Sequence, residues 1–294
     1  MTDTRRLIVI IGPTASGKSA RAMDMAPRIG GEIISADSRH VYRRMDIGTN
    51  KPSPAERAWI RHHLLDIRDP HEFFSLAEYT ALARAAITDV RSRGKVPMLV
   101  GGTGQYVRAV LEGWQVPEVP PSPDVRARWL ALAAEQGGEA LAAELRARDP
   151  AALLTIDARN IRRVVRALEV IETTGRRWSD LQQRHPLEPA DVEIVYVNLP
   201  RDELYARADA RLADMLERGW LDEVRRLLDE LAERGIQANE ALRLPAMSAL
   251  GYRELAAVAL GQAALADAVE AVKRETRRFI RAQDTWFRKI AGSA

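Results

Sequence analysis

The sequence predicts an α/β fold, a parallel sheet with helical crossovers that is interrupted by a helical insertion. Three observations lead there. Short apolar runs (Leu7–Ile11, Glu32–Ser35, Met98–Val100) are separated by helical stretches (Ser19–Pro27, Ser75–Arg93), and such spacing requires crossovers between parallel strands. A glycine-rich loop directly follows the first run. A proline-rich stretch, Val116-Pro117-Glu118-Val119-Pro120-Pro121-Ser122-Pro123, then marks a change of texture to long Ala/Leu/Glu/Arg-rich helical segments.

The first run leads into Gly12-Pro13-Thr14-Ala15-Ser16-Gly17-Lys18-Ser19, the G-x-x-x-x-G-K-[ST] pattern in its strand–loop–helix context. The core is therefore expected to be P-loop NTPase-like. The loop N–H groups and the helix N-terminus behind them are expected to cradle a di- or triphosphate. Lys18 would neutralise phosphate oxygens. The Ser19 hydroxyl would hold Mg²⁺, the one cofactor expected.

The second run ends near Asp37, which a parallel sheet brings to the same edge as the phosphate loop. Three readings stay open for it: a Mg²⁺ ligand, a general base, or a helix N-cap. The third run ends in Gly101-Gly102-Thr103-Gly104. An ordinary NTPase carries an acid there. Glycines instead admit close approach of a ligand, and Thr103 can donate to a phosphate or leaving oxygen. The pattern argues for transfer to a bulky acceptor.

From Asp124 to about Arg184 the pattern is helical. A strand pattern returns at Glu193–Val197, and residues 202–290 are mostly helical. The expected division is a core of 1–120 and 190–294 with an insertion at 121–189. In the insertion Arg159, Arg162 and Arg166 fall at i, i+3 and i+7 beside Arg163, a candidate backbone-binding face, while Ile161, Val164, Leu168 and Ile171 form an apolar stripe. Arg207 and Arg211 lie one turn apart and reach either the core site or solvent. His62 and His63 are adjacent, without metal-ligand spacing. Trp286 and Phe287 read as core.

The chain has 294 residues, enough for two domains, and its 46% hydrophobic and 29% charged composition is that of a globular protein. It has no cysteine, so disulfides and cysteine-based zinc sites are excluded, which fits a cytoplasmic protein. No apolar stretch reaches membrane-span length, and no room for a signal peptide precedes the first strand. Net charge is +3, and the positive charge is almost all arginine, whose planar fork suits phosphate and nucleic acid.

The chain resembles the tRNA dimethylallyltransferases (tRNA isopentenyltransferases) along nearly its whole length. Besides the phosphate loop, the resemblance rests on Gly31-Glu32-Ile33-Ile34-Ser35-Ala36-Asp37-Ser38, Val41-Tyr42, Met45-Asp46-Ile47-Gly48-Thr49 and His62-His63-Leu64-Leu65-Asp66-Ile67. It continues through Val100-Gly101-Gly102-Thr103-Gly104, Arg166-Ala167-Leu168-Glu169-Val170, Gly251-Tyr252-Arg253-Glu254 and Thr285-Trp286.

The resemblance implies transfer of a dimethylallyl group from dimethylallyl diphosphate to N6 of the adenosine 3′ of the anticodon. The phosphate loop would hold the donor's diphosphate, with Arg211 assisting. Asp37 would take the amine proton, and Thr103 would position the base or the bridging oxygen. It further implies tRNA contacts at Asp37, Ser38, Arg39, His40, Thr103, Arg126, Arg162, Arg163, Val164, Val165, Arg166, Gly251, Tyr252 and Arg253. The insertion would clamp the anticodon stem-loop, with a monomer expected. Three positions depart from the family pattern: His40 stands for a usual Gln, Asn50 for Ala, and Arg281-Ala282-Gln283 for Lys-Arg-Gln. The zinc-finger extension of eukaryotic members has no counterpart here, so a bacterial-type enzyme is expected. Three rivals remain: a small-molecule kinase, a prenyltransferase acting on AMP or ATP, and an RNA-binding module with a vestigial phosphate loop.

Overall fold

The computed structural model describes residues 6–115, 119–120, 122–181 and 183–292. Of the proline-rich stretch, Val116, Pro117, Glu118 and Pro121 lie outside the described residues.

The chain forms two compact units, one of Met1–Leu111 with Leu187–Ala294 and one of Glu112–Pro186. In chain order the first unit runs β1 (Leu7–Ile11), α1 (Lys18–Ile29), β2 (Gly31–Ser35), α2 (Pro54–Trp59), β3 (His62–His63), α3 (Leu76–Ser92), β4 (Val96–Gly101) and α4 (Gly104–Leu111). The second contains β5 (Trp114–Gln115), α5 (Pro123–Gln136), α6 (Gly138–Arg148), α7 (Ile161–Thr174), α8 (Trp178–Leu181) and β6 (Gln183–Arg184). The first then resumes with β7 (Val192–Tyr196), α9 (Arg201–Glu217), α10 (Trp220–Glu233), α11 (Ala238–Ala241), α12 (Tyr252–Ala259) and α13 (Leu265–Ala291). The insertion therefore begins before the proline-rich stretch, not at residue 121, and ends at Pro186. The reason is local: β5 and β6 pair antiparallel, so the two ends of the insertion close on each other.

The main sheet has the order β3-β2-β4-β1-β7 and is parallel throughout. Its central strands read as continuous apolar runs because both faces are covered. In β1 the alternation divides the strand between two cores: Leu7, Val9 and Ile11 join Ile34 and Leu99 on one face, while Ile8 and Ile10 join Ile33, Met98 and Val100 on the other. Neighbouring β1, β4 and β2 all end at one edge, so the loop after β1, Thr103 after β4 and Asp37 after β2 come together there.

Helix starts follow side-chain capping. Ser75 accepts from the Glu78 N–H, and Glu78 reciprocates on the Ser75 N–H, which fixes the start of α3. His63 meets Glu32 at 2.7 Å, and a hydrogen bond from Arg93 draws the Glu32 carboxyl down to about 2. His62 contacts the Ile60 carbonyl. The histidine pair thus serves the sheet edge.

In the second unit α5, α6 and α7 enclose a core of Leu141, Leu145, Ile156, Val164, Val165 and Leu168. Asn160 caps α7 by accepting from the Arg163 N–H, and Gly175 ends it in the left-handed region. Arg159 consequently lies outside the helix, paired with Asp157, and does not share a helical face with Arg162 and Arg166.

Candidate active site

A cavity of about 530 Å³ opens at the strand edge of the first unit. Thr14, Lys18, Ser19, Asp37, Ser38, Arg39, His40, Thr103 and Arg211 line its polar side, and Leu212, Met215, Val272, Phe279 and Phe287 supply an apolar side. Of the two neighbouring arginines on α9, Arg211 faces this cavity. Arg207 is half exposed and pairs with Glu203.

The phosphate loop is narrower in donors than its sequence suggests. Pro13 has no N–H, the Thr14 N–H donates to Gln283 Oε1 at 2.8 Å, and the Ser16 N–H donates to the Pro13 carbonyl at 3.2 Å. The Arg21 N–H closes the first turn of α1 on the Gly17 carbonyl. The amides of Ala15, Gly17, Lys18 and Ser19 are candidate anion donors of the loop. Ala15 and Gly17 take φ values of 69° and 90°, turning successive amides to one side.

Lys18, Arg211 and Asp37 act on one another electrostatically. Burial, then the Arg211 charge, lowers Lys18 to about 8, against an opposing pull from Asp37. Burial pushes the Asp37 carboxyl up, but His40, the Arg39 N–H and Lys18 together hold it below the usual aspartate value. Asp37 Oδ1 accepts from the Arg39 N–H at 2.9 Å, which closes a short turn. The helix N-cap reading is not met, because turns follow Asp37 and the next helix, α2, starts at Pro54.

Thr103 is tied to the same segment. Its Oγ1 accepts from the Ser38 N–H at 3.0 Å and lies 3.4 Å from Ser38 Oγ. The glycines before it serve the protein itself. A Cβ at Gly101 would stand 2.2 Å from the Ala36 carbonyl oxygen, and one at Gly102 would stand 2.7 Å from Gln283 Nε2. Their smallness admits the β2 end and the Gln283 amide, and both glycines also line the cavity.

His40 explains how it can stand in a glutamine position. Its Nε2 faces the Thr49 carbonyl at 3.1 Å and therefore carries the hydrogen, while Nδ1 accepts from Ser35 Oγ at 3.1 Å. Neutral imidazole thus offers one donor and one acceptor, as an amide does. Burial lowers its pKa, with Asp37 pulling the other way.

The wall at Gly48 and Thr49 is held from behind. Buried Glu223 accepts the N–H groups of Asp46, Ile47 and Gly48 at 2.8, 2.7 and 3.2 Å and the Tyr252 hydroxyl at 2.6 Å. This corrects the tRNA-facing role of Gly251 and Tyr252. Tyr252 is fully buried on Glu223, and Gly251 is closed against the Trp220 ring. Arg253 is exposed and donates to the Leu242 carbonyl, and Arg39 donates to the Pro245 carbonyl.

Val164 and Val165 likewise cannot meet RNA with their side chains, being 0% and 2% exposed in the second unit's core. Arg126 and Arg166 both pair with buried Glu169, at 2.9 and 2.8 Å, and Arg166 also donates to the Val119 carbonyl. They brace the helices first. Arg162 and Arg163 are exposed on α7, as Arg146, Arg176 and Arg177 are elsewhere in this unit.

Sequence reasoning missed the contribution of α13. Phe279, Ala282, Gln283, Trp286 and Phe287 all line the cavity, so Trp286 is more than core. The usable signal was a polar residue on an apolar stripe: Gln283 continues the spacing of Val272, Ile280 and Phe287, all buried.

Residues 40–290 match the family model described as IPP transferase. The tRNA dimethylallyltransferase of Roseiflexus castenholzii is 52% identical over 97% of this chain and 90% of its own length, and that of Chloroflexus aggregans is 50% identical over 97% and 93%. The full-length tRNA isopentenylpyrophosphate transferase of Bacillus halodurans superposes with a TM-score of 0.67 at 38% identity, covering 97% of this chain and 87% of that one. A eukaryotic dimethylallyltransferase acting on tRNA superposes with a TM-score of 0.79 at 28% identity, covering 96% and 69%. The chain belongs to the IPP transferase family.

Proposed function

We propose that this chain transfers a dimethylallyl group from dimethylallyl diphosphate to N6 of the adenosine 3′ of the anticodon in tRNA. The observation that carries the reading is the sharing of one cavity by a cationic pair, Lys18 and Arg211, a carboxylate, Asp37, and an apolar wall. Cations and loop amides suit a diphosphate, the apolar wall suits an allylic chain, and the carboxylate suits an amine that must lose a proton.

The bonds balance simply. The N6 lone pair forms a bond to the allylic carbon as its bond to oxygen breaks, and the electron pair leaves on the diphosphate. Lys18, Arg211 and the loop amides stabilise that developing charge. Asp37 accepts the N6 proton. The Thr103 hydroxyl accepts from the Ser38 N–H and donates to Ser38 Oγ across a long 3.4 Å, a weak bond it would exchange for one to the base or the bridging oxygen. The target adenine has to leave its stack to reach this cavity, which an anticodon loop permits.

Ser19 lines the cavity beside Lys18, and the described residues contain no cluster of His, Asp and Glu able to hold a metal by themselves. The Ser19 hydroxyl beside a bound diphosphate would suit Mg²⁺, which keeps its waters and binds largely through phosphate oxygens. Bound by Ser19 and the diphosphate, it would add charge stabilisation to the leaving group.

Arg162 and Arg163 are the candidate tRNA-backbone contacts of the second unit. Replacing both by alanine is expected to weaken tRNA binding and to reduce the slope of log affinity against log salt by roughly 1–2. Filter binding across a salt series measures this, and an unchanged slope moves the contact elsewhere. Arg166 is a poor choice for that test because it braces Glu169.

The deciding experiment incubates the protein with labelled dimethylallyl diphosphate, Mg²⁺ and unmodified tRNA, with AMP and ATP as competing acceptors. Label is expected in tRNA alone. Label in AMP or ATP identifies a free-nucleotide acceptor, and brisk ATP turnover without prenylation identifies a kinase-like activity. The described residues contain no helix long and apolar enough to cross a membrane.

A further inference from the structure

We propose that Gln283 is a positioning residue that locks the diphosphate loop to the Thr103 loop through its amide. The inference rests on the diphosphate reading above and extends it to a residue far away in the chain. Gln283 sits on α13 and is 6% exposed. Its Oε1 accepts from the Thr14 N–H at 2.8 Å, and its Nε2 donates to the Gly102 carbonyl at 2.7 Å. The orientation of the amide is forced, because an N–H faces one end and a carbonyl the other. One side chain therefore joins the loop after β1, the loop after β4 and the last helix.

Three consequences follow. The Thr14 amide is withheld from the substrate, and the loop is held at the point where its amides begin to turn outward through Ala15. The Gly102 carbonyl, one residue before Thr103, is fixed relative to that loop, so the group that cradles the diphosphate and the group that faces the acceptor keep a set separation. Gly102 is required by this arrangement. A Cβ there would stand 2.7 Å from Gln283 Nε2, closer than such contacts allow, and 3.6 Å from Lys18 Nζ, an ordinary contact. A methyl at Gly102 therefore displaces the Gln283 amide and can leave Lys18 in place.

This gives a double-mutant cycle whose two single variants strike the same contact from opposite sides. The readout is the dissociation constant for inorganic pyrophosphate, with tRNA affinity and melting temperature measured alongside. Gln283→Met keeps the volume and removes both hydrogen bonds. It is expected to weaken pyrophosphate binding about tenfold, with tRNA affinity changed less than about twofold. Gly102→Ala is expected to produce a similar loss, and the double variant is expected to be no weaker than Gln283→Met alone. The same variants should raise KM for dimethylallyl diphosphate more than KM for tRNA.

Pyrophosphate affinity of Gln283→Met equal to that of the parent overturns the proposal and reduces Gln283 to packing. Fully additive losses overturn it too, since the two positions would then act separately. Loss of tRNA and pyrophosphate affinity together, with a collapsed melting temperature, assigns Gln283 a general folding role and also overturns it. A parent protein that binds no pyrophosphate removes the diphosphate reading itself, whereas the other outcomes leave that reading standing.

Discussion

Asp37→Asn is expected to lower the rate of dimethylallyl transfer by about 10²–10⁴-fold, the range lost with a positioned general base, while tRNA affinity stays near that of the parent. Asparagine keeps an oxygen to accept the Arg39 N–H, so the turn that Asp37 closes is preserved and only the basic oxygen is lost. The substitution also has an electrostatic signature. Asp37 raises the Lys18 pKa and opposes the cationic pair. Removing its charge should leave pyrophosphate binding as tight as before or tighter at neutral pH, and should move Lys18 lower still. Single-turnover transfer measured beside pyrophosphate affinity separates the two effects. A variant that transfers at the parent's rate removes Asp37 from the proton step.

The parts of this site that were legible in the sequence are those made by short stretches of chain. The phosphate loop and its strand are contiguous, and the β1 run betrays a sheet buried on both faces because every residue in it is apolar. Asp37 and Thr103 could be placed at the loop's edge because parallel strands all end on one side. Partner choice across the fold was not legible. Gln283 meets Thr14 across 269 positions, and Glu223 collects amides 175 to 177 positions away. No local pattern announces such contacts, apart from a polar residue interrupting an apolar stripe.

The arginines of the insertion fail for a related reason. Charge patterning marks Arg166 as basic surface and the family resemblance marks Arg126 as a tRNA contact, but a buried Glu169 claims both, and only burial reveals it. Arg159 was misplaced by extending helical periodicity one residue beyond the Asn160 cap. The glycines at the end of β4, Gly101 and Gly102, line the cavity, yet their sequence does not say which neighbour requires them. Glycine reports only that something is close, and here the close groups are the Ala36 carbonyl and the Gln283 amide.

Lys18→Ala is expected to lower transfer by about 10²–10³-fold, as loss of a preorganised group facing the developing charge does. Unlike Asp37→Asn, it should weaken pyrophosphate binding as well. The pH dependence gives the sharper test. Burial and the neighbouring Arg211 charge bring Lys18 to about 8 in the free protein. Its ammonium is therefore present at neutral pH and lost as pH rises through that value, so kcat/KM for dimethylallyl diphosphate should fall above about pH 8. A bound diphosphate favours the ammonium, so the alkaline limb of kcat should lie higher than that of kcat/KM. Lys18→Arg supplies the control. Guanidinium does not titrate in this range, so that variant, though slower because its fork fits the loop poorly, should lose the limb altogether. A limb that persists unchanged in Lys18→Arg belongs to another group. In that case the loop lysine is a permanent charge, and the electrostatic coupling between Lys18, Arg211 and Asp37 no longer explains how the cavity holds its anion.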